Sequence, residues 1–220
     1  MAFPALLLAH LLGDFPCQPY PLIRWKLASL RGLLVHVAIQ TALALPVMIW
    51  AIPRWPLWLG VLSVSHFLID WAKVRWTRGG WIELGAFFLD QSAHISVLWI
   101  IARASGAQLV LSAAAAMWLR VAIAFIAAVY AGSVVVFLTN AARTHPTGGF
   151  APIPLGERVR GMVERGIVVV AFVALPSAIL TVVLAAAYLA AAAVIQRDRW
   201  RWAMRALSVA WALAVTVAAV

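Results

Sequence analysis

Apolar runs separated by short polar, mostly basic segments recur along the whole chain, at approximately 3–13, 28–51, 56–74, 82–102, 108–139, 166–195 and 203–220. Stretches such as LLVHVAIQTALALPVMIWAI and GIVVVAFVALPSAILTVVLAAAYLAAAAVI meet or exceed the ~20 apolar residues that a helix needs to cross the hydrocarbon of a bilayer. Barrel strands would alternate apolar and polar residues, and these runs do not. The pattern predicts an all-α fold, a polytopic transmembrane helix bundle of about six to seven segments. The first run is too short to span alone, and Pro16, Pro19 and Pro21 close it, so a half-helix or re-entrant element is expected there.

Composition agrees. Of 220 residues, 65% are hydrophobic and 11% charged, with a mean hydropathy of +0.99, more apolar surface than a soluble core of this size can hide. The net charge of +10 would suit nucleic acid, but the lysines and arginines lie in short segments between apolar runs and form no soluble basic face. No nucleic-acid partner is expected; contacts with anionic lipids are. Arg24, Lys26 and Arg31, then Lys73, Arg75 and Arg78, then Arg143, Arg158, Arg160 and Arg165 mark three cytoplasmic loops, which puts the N-terminus outside a multi-pass chain in the inner (cytoplasmic) membrane. The basic QRDRWRWAMR at 196–205 breaks strict alternation, so one of the last three segments is expected to be re-entrant, or split near Arg120 or Pro176. Many of the twelve tryptophans border these segments, as in an interfacial aromatic belt. The N-terminal MAFPALLLAH lacks the basic region and cleavage site of a signal peptide and is expected to be retained. A single cysteine, Cys17, excludes an intrachain disulfide and a thiolate zinc site.

Ionisable residues inside the runs change the picture most. Apart from His145 in the linker, every histidine sits in an apolar run, and His10/Asp14, His66/Asp70 and Asp90/His94 are spaced i,i+4, one helical turn apart on one face. At 1.5 Å per residue, His36 lies ~12 Å inward from residue 28, Asp90 ~12 Å inward from residue 82, and His66 ~12 Å before residue 74. His10 and Asp14 end the first run on the same side. Four segments thus deliver His10, Asp14, His36, His66, Asp70, Asp90 and His94 to one layer. A charged residue near a helix centre costs ~2.5–3.5 kcal/mol on insertion scales, so these groups must face one another. Neutral helix-to-helix hydrogen bonding is one use for them. A metal centre is the sharper one: imidazoles and carboxylates suit zinc, iron or manganese, and seven donors suffice for two divalent ions.

Three further sets follow. Gln18, Gln40 and Gln91 lie near the layer as donors able to orient the ligands. Lys26, Lys73 and Arg75 stand at its mouth, placed to bind an anionic headgroup. Glu164 is a candidate to close the site, with a surface ion pair as the plainer role. HLLGD followed by His36 is echoed by HFLID followed by His94, which suggests a two-fold parallel repeat of 1–51 and 56–102 within a 1–102 core. Residues 103–220 are expected to form supporting transmembrane helices with a cytoplasmic linker at 140–165.

HLLGDFPCQPY, His36, HFLID and FFLDQSAH together, with LGERVRGMVERGI further on, resemble the DUF3307 family of uncharacterised bacterial polytopic membrane proteins. The resemblance supports the polar positions as a set and implies no reaction. A looser similarity of style, to inner-membrane metal-dependent hydrolases with His and Asp at helix ends, is an analogy. The leading expectation is a dinuclear metal hydrolase acting on a lipid or lipid-linked phosphate at the cytoplasmic leaflet, with Asp14, Asp70 or Asp90 free as the general base. A proton- or divalent-ion-coupled transporter or channel using the same cluster stands beside it, as does a non-haem iron oxidase.

Overall fold

The computed structural model describes residues 1–76, 79–145, 153–175, 177–196 and 198–220. Arg78 and Pro176, read above as a topology signal and a helix break, lie outside the described residues, as does the middle of the 140–165 linker. The helices are α1 Ala2–Asp14, α2 Tyr20–Ala28, α3 Leu30–Ala51, α4 Trp55–Trp76, α5 Gly80–Ala104, α6 Ala113–Ile126, a π-helical turn Ala127–Ala131, α7 Gly132–Thr144, α8 Leu155–Ala174, α9 Ala178–Ile195 and α10 Arg199–Ala219. No strand occurs among the described residues. Among the described residues six stretches are long and apolar enough to cross a bilayer: α3, α4, α5, the continuous Ala113–Thr144, α9 and α10. The chain is a multi-pass membrane protein. It divides into two compact units, Met1–Leu119 and Arg120–Val220.

In the first unit α1, α3, α4 and α5 form a ring in which each packs on the next, and α2 lies against α3. Helix α1 is 13 residues, ~20 Å, against the ~30 Å of hydrocarbon, as its short apolar run predicted. Its start meets the segment that follows α5, where the Met1 ammonium donates to Leu109 O (3.1 Å), and Gln108 N–H in that segment donates to Ala51 O at the end of α3 (2.8 Å). The ring interior is divided lengthwise. Near that end Leu6, Ala44, Met48, Leu62, Leu98 and Ile101 form an apolar core. The other half is polar, because each helix changes character at one height: α1 after Ala9, α3 before Ala44, α4 after Leu62, α5 before Leu98.

Between α1 and α3 the sequence predicted only a proline-rich break, and the structure instead has α2. Pro21 lies in its first turn, where a missing N–H is harmless and a fixed φ starts a helix. Ser29 then caps α3, accepting from Gly32 N–H (3.1 Å). A Cβ on Gly32 would collide with the Trp25 carbonyl, so glycine lets α2 fold back closely on α3. Without a hydrophobic force between helices in lipid, such small residues and interhelical hydrogen bonds, including Thr41 to Ser63 at 2.7 Å, hold the ring together.

In the second unit the run 166–195 is two helices, α8 ending at Ala174 and α9 starting at Ala178 after the Ser177 cap. A split in this region was one of the alternatives that the basic segment at 196–205 raised. The other possible break, near Arg120, is absent, since helix continues from Ala113 to Thr144. Its π-helical turn frees carbonyls for other partners: Ala127 O accepts from Trp211 Nε1 (2.9 Å) and Val129 O from Arg165 Nη2 (3.1 Å). Small and β-branched residues, among them Ala124, Ala128, Val169, Val209 and Ala212, fill the core beside it.

Candidate metal centre

The polar half of the first unit gathers the seven predicted ligands. Helix α1 supplies His10 and Asp14 in its last turn, α3 His36, α4 His66 and Asp70, and α5 Asp90 and His94. Six are buried, with His36 0% and Asp70 1% exposed, and Asp14 is half-buried. The imidazoles lie against one another, with ring centroids 4.2 Å apart for His66 and His94 and 5.1 Å for His36 and His66.

Distances between donor atoms resolve the cluster. His36 Nε2 and His66 Nε2 are 3.0 Å apart. Asp70 Oδ2 lies 3.2 Å from the first and 3.4 Å from the second. Asp14 Oδ1 lies over the same edge at 3.3 and 3.6 Å. An ion with bonds of ~2.0–2.1 Å in tetrahedral geometry separates its ligands by ~3.3–3.4 Å, so each triangle has the size of one coordination face. Two further sets have donor atoms within 4.8 Å of one another: His10, Asp14 and His66, and Asp70, Asp90 and His94. Asp70 and His66 each belong to two sets.

The three glutamines touch these donors. With its amide turned to satisfy its neighbours, Gln18 accepts at Oε1 from His36 Nδ1 (3.0 Å) and Lys26 Nζ (2.8 Å), and donates from Nε2 to Asp14 O (3.2 Å). A proton on His36 Nδ1 leaves Nε2 free to act as a ligand. Gln40 Nε2 donates to Asp14 Oδ1 (2.6 Å) and His10 O (2.9 Å), while Gln91 Nε2 donates to Asp14 Oδ2 (3.0 Å) and Asp90 Oδ2 (3.1 Å). Gly13, passed over in the sequence, makes the first of these contacts possible. A Cβ there would overlap the Gln40 amide, and a glycine inside a helix next to Asp14 was the available signal.

His94 Nδ1 lies 2.9 Å from the Asp90 carbonyl, which can only accept, so Nδ1 carries the proton and Nε2 a lone pair. That Nε2, like Asp90 Oδ1, is buried without a hydrogen-bond partner among the described residues. Two orphaned acceptors in one pocket of charge fit a cation, because neither has a proton to offer.

Cations of the chain itself hold two of the carboxylates. Lys26 Nζ is 3.2 Å from Asp70 Oδ2, and Lys73 Nζ 2.7 Å from Asp90 Oδ2. Lys73 follows Asp70 by three residues and keeps its helix face. Arg75 follows by five, about 140° around the helix, and is not brought to the site: it is exposed, with its guanidinium 4.4 Å from the centre of the Trp71 ring. Glu164 stands in the second unit, where it accepts from Tyr188 Oη (2.5 Å) and pairs with Arg205 (3.7 Å).

The family described as protein of unknown function (DUF3307) matches residues 2–139, well over half of the chain and all seven of the clustered donors. No curated protein and no solved structure matches the chain.

Proposed function

The chain belongs to the DUF3307 family, and on that premise we propose that its first unit is a membrane-embedded, metal-dependent hydrolase of a lipid or lipid-linked phosphate. The observation that carries this reading is the pair of donor triangles on the His36–His66 edge, sized for a tetrahedral ion and oriented by glutamines. In this reading two divalent ions of zinc, iron or manganese are held, one by His36, His66, Asp70 and Asp14, the other by Asp70, Asp90 and His94. A divalent ion supplies electrophilic assistance to a phosphoryl group and a water of lowered pKa, so no serine or cysteine nucleophile is needed.

The chain's own groups do the rest. Three carboxylates and two ammonium groups leave the cluster one net negative charge, too little to balance two divalent ions. Loading with two such ions would draw Lys26 and Lys73 off their carboxylates and turn both ammonium groups toward the substrate phosphate. An aspartate oxygen outside the coordination shell serves as general base. The lysine-bearing end faces the cytoplasm of the inner membrane and the N-terminus lies outside, because basic residues flank that end.

The test is elemental analysis of gently purified protein followed by assay in detergent micelles. Expected are one to two equivalents of metal per chain and hydrolysis of lipid phosphates, lost with chelator and restored with metal. Metal-loaded protein that leaves phospholipids and polyprenyl phosphates intact overturns the reading. The enclosure of the cluster favours a second one, an ion-coupled transporter, in which Asp70 and Asp90 exchange lysine for a cation in transit. Flux in sealed vesicles that Asp70→Asn and Asp90→Asn abolish, with no micellar turnover, selects it.

A further inference from the structure

A second concentration of charge lies in the Arg120–Val220 unit and is unrelated to the metal donors. Arg165 is 2% exposed, yet its described partners are all neutral: Ser208 Oγ at 2.6 Å from Nη1, and Ser133 Oγ at 2.5 Å and Val129 O at 3.1 Å from Nη2. Its Nε has no partner among the described residues. Gly132 and Gly161 make the room, since a Cβ on either would press on the Arg165 side chain. A guanidinium stays charged in proteins, and a buried charge without a counter-ion costs several kcal/mol.

Beside it opens a cavity of about 330 Å³, lined by Ser133, Arg158, Arg160, Arg165, Arg205 and Ser208, among others. Its two glutamates are already engaged, Glu157 with Arg201 at 3.8 Å and Glu164 with Arg205 at 3.7 Å. Arg158, Arg160 and Arg165 have no carboxylate within ion-pair distance among the described residues. Three guanidinium groups without an ion-pair partner among the described residues thus line one cavity, and two of its hydroxyls are already oriented by the buried one.

We propose that this cavity is a binding site for a phosphate-bearing anion. Guanidinium groups match the geometry of phosphate oxygens and bind them through paired N–H donors. The volume is at the lower end of the ~300–1,000 Å³ of small-ligand sites, which is room for a phosphorylated headgroup or small phosphate ester and more than a bare ion needs. The site works without metal, so its test is separate from that of the hydrolase reading.

The full-length protein is kept in chelator to silence the His/Asp cluster. Its thermal unfolding is followed in detergent with inorganic phosphate against chloride at matched ionic strength, and in nanodiscs of phosphatidylcholine with or without phosphatidylglycerol. A higher midpoint with phosphate alone identifies a free phosphate compound as ligand; a higher midpoint only with phosphatidylglycerol identifies a lipid headgroup. In either arm Arg158→Gln with Arg160→Gln, which spares the contacts of Arg165, weakens the response at least about tenfold, since a charge-assisted hydrogen bond contributes ~1.5–3 kcal/mol. Arg165→Gln removes the response if the variant folds. No stabilisation in either arm, or a double variant that responds like the wild type, overturns the proposal.

Discussion

Gly13 shows how small a change the cluster can register. Its missing side chain is the space occupied by the Gln40 amide, which bonds both His10 and Asp14. In Gly13→Ala the flexible amide moves aside before the backbone does, so the helix survives and the orientation of Asp14 is lost. Metal affinity is expected to fall about 10–100-fold, the usual effect of losing an orienting partner, with little change in unfolding of the metal-free protein. Isothermal titration with zinc beside a thermal melt in chelator checks both halves. Lys26 gives the opposite sign. In the metal-free protein Lys26→Met leaves Asp70 buried without its ammonium partner and is expected to destabilise by about 3–5 kcal/mol. A cation then meets no competitor on Asp70, so the variant binds metal more tightly and gains more thermal stability from it than the wild type does. A variant that stays destabilised at saturating metal shows that the Lys26–Asp70 pair is only structural.

Among elements, α2 is short but carries Lys26 to Asp70. Its position depends on the Ser29 cap and on the close approach at Gly32. Ser29→Ala is expected to cost about 1 kcal/mol through the lost cap and to loosen the corner that aims Lys26. A lowered melting point together with tighter zinc binding is the expected signature, and unchanged zinc binding would separate the cap from the site. The sequence concealed α2 for a physical reason: prolines end one helix and begin the next with the same fixed φ, and three of them within six residues read equally well as a stop. The π-helical turn was hidden too, since nothing in AAVYA distinguishes it from ordinary helix until Arg165 and Trp211 claim its carbonyls.

At the scale of the whole chain, the spans and the donor cluster were legible because hydrocarbon makes polar residues conspicuous. His36 and Asp90 were placed at one height from helix rise and basic loops alone, and the structure joins them through shared neighbours on α4. The arginine-lined cavity was not legible, because Arg158, Arg160 and Arg165 read as topology signals and nothing local separates those from ligands for an anion. The relative sides of the first unit can be measured. In a Cys17→Ser background, single cysteines at 54 and 107 are expected to react with an impermeant maleimide from one face of the membrane, and those at 29 and 79 from the other, since α3, α4 and α5 run antiparallel between them. Labelling of 29 and 54 from the same face would contradict the shared polar layer.

The lengthwise division of the ring interior has an electrical consequence. Leu6, Met48, Leu62, Leu98 and Ile101 fill one half with apolar side chains, so a cation that entered past Lys26 and Lys73, as proposed, would stop partway through the transmembrane field. One charge crossing the whole field gains or loses ~2.3 kcal/mol per 100 mV, and a divalent ion halting near the middle feels an energy of about that same size. On the proposed reading, with the lysine-bearing end facing the cytoplasm, occupancy of the cluster would be tied to the membrane potential, and an energised cell, negative inside, would disfavour a cation that must climb outward to reach it.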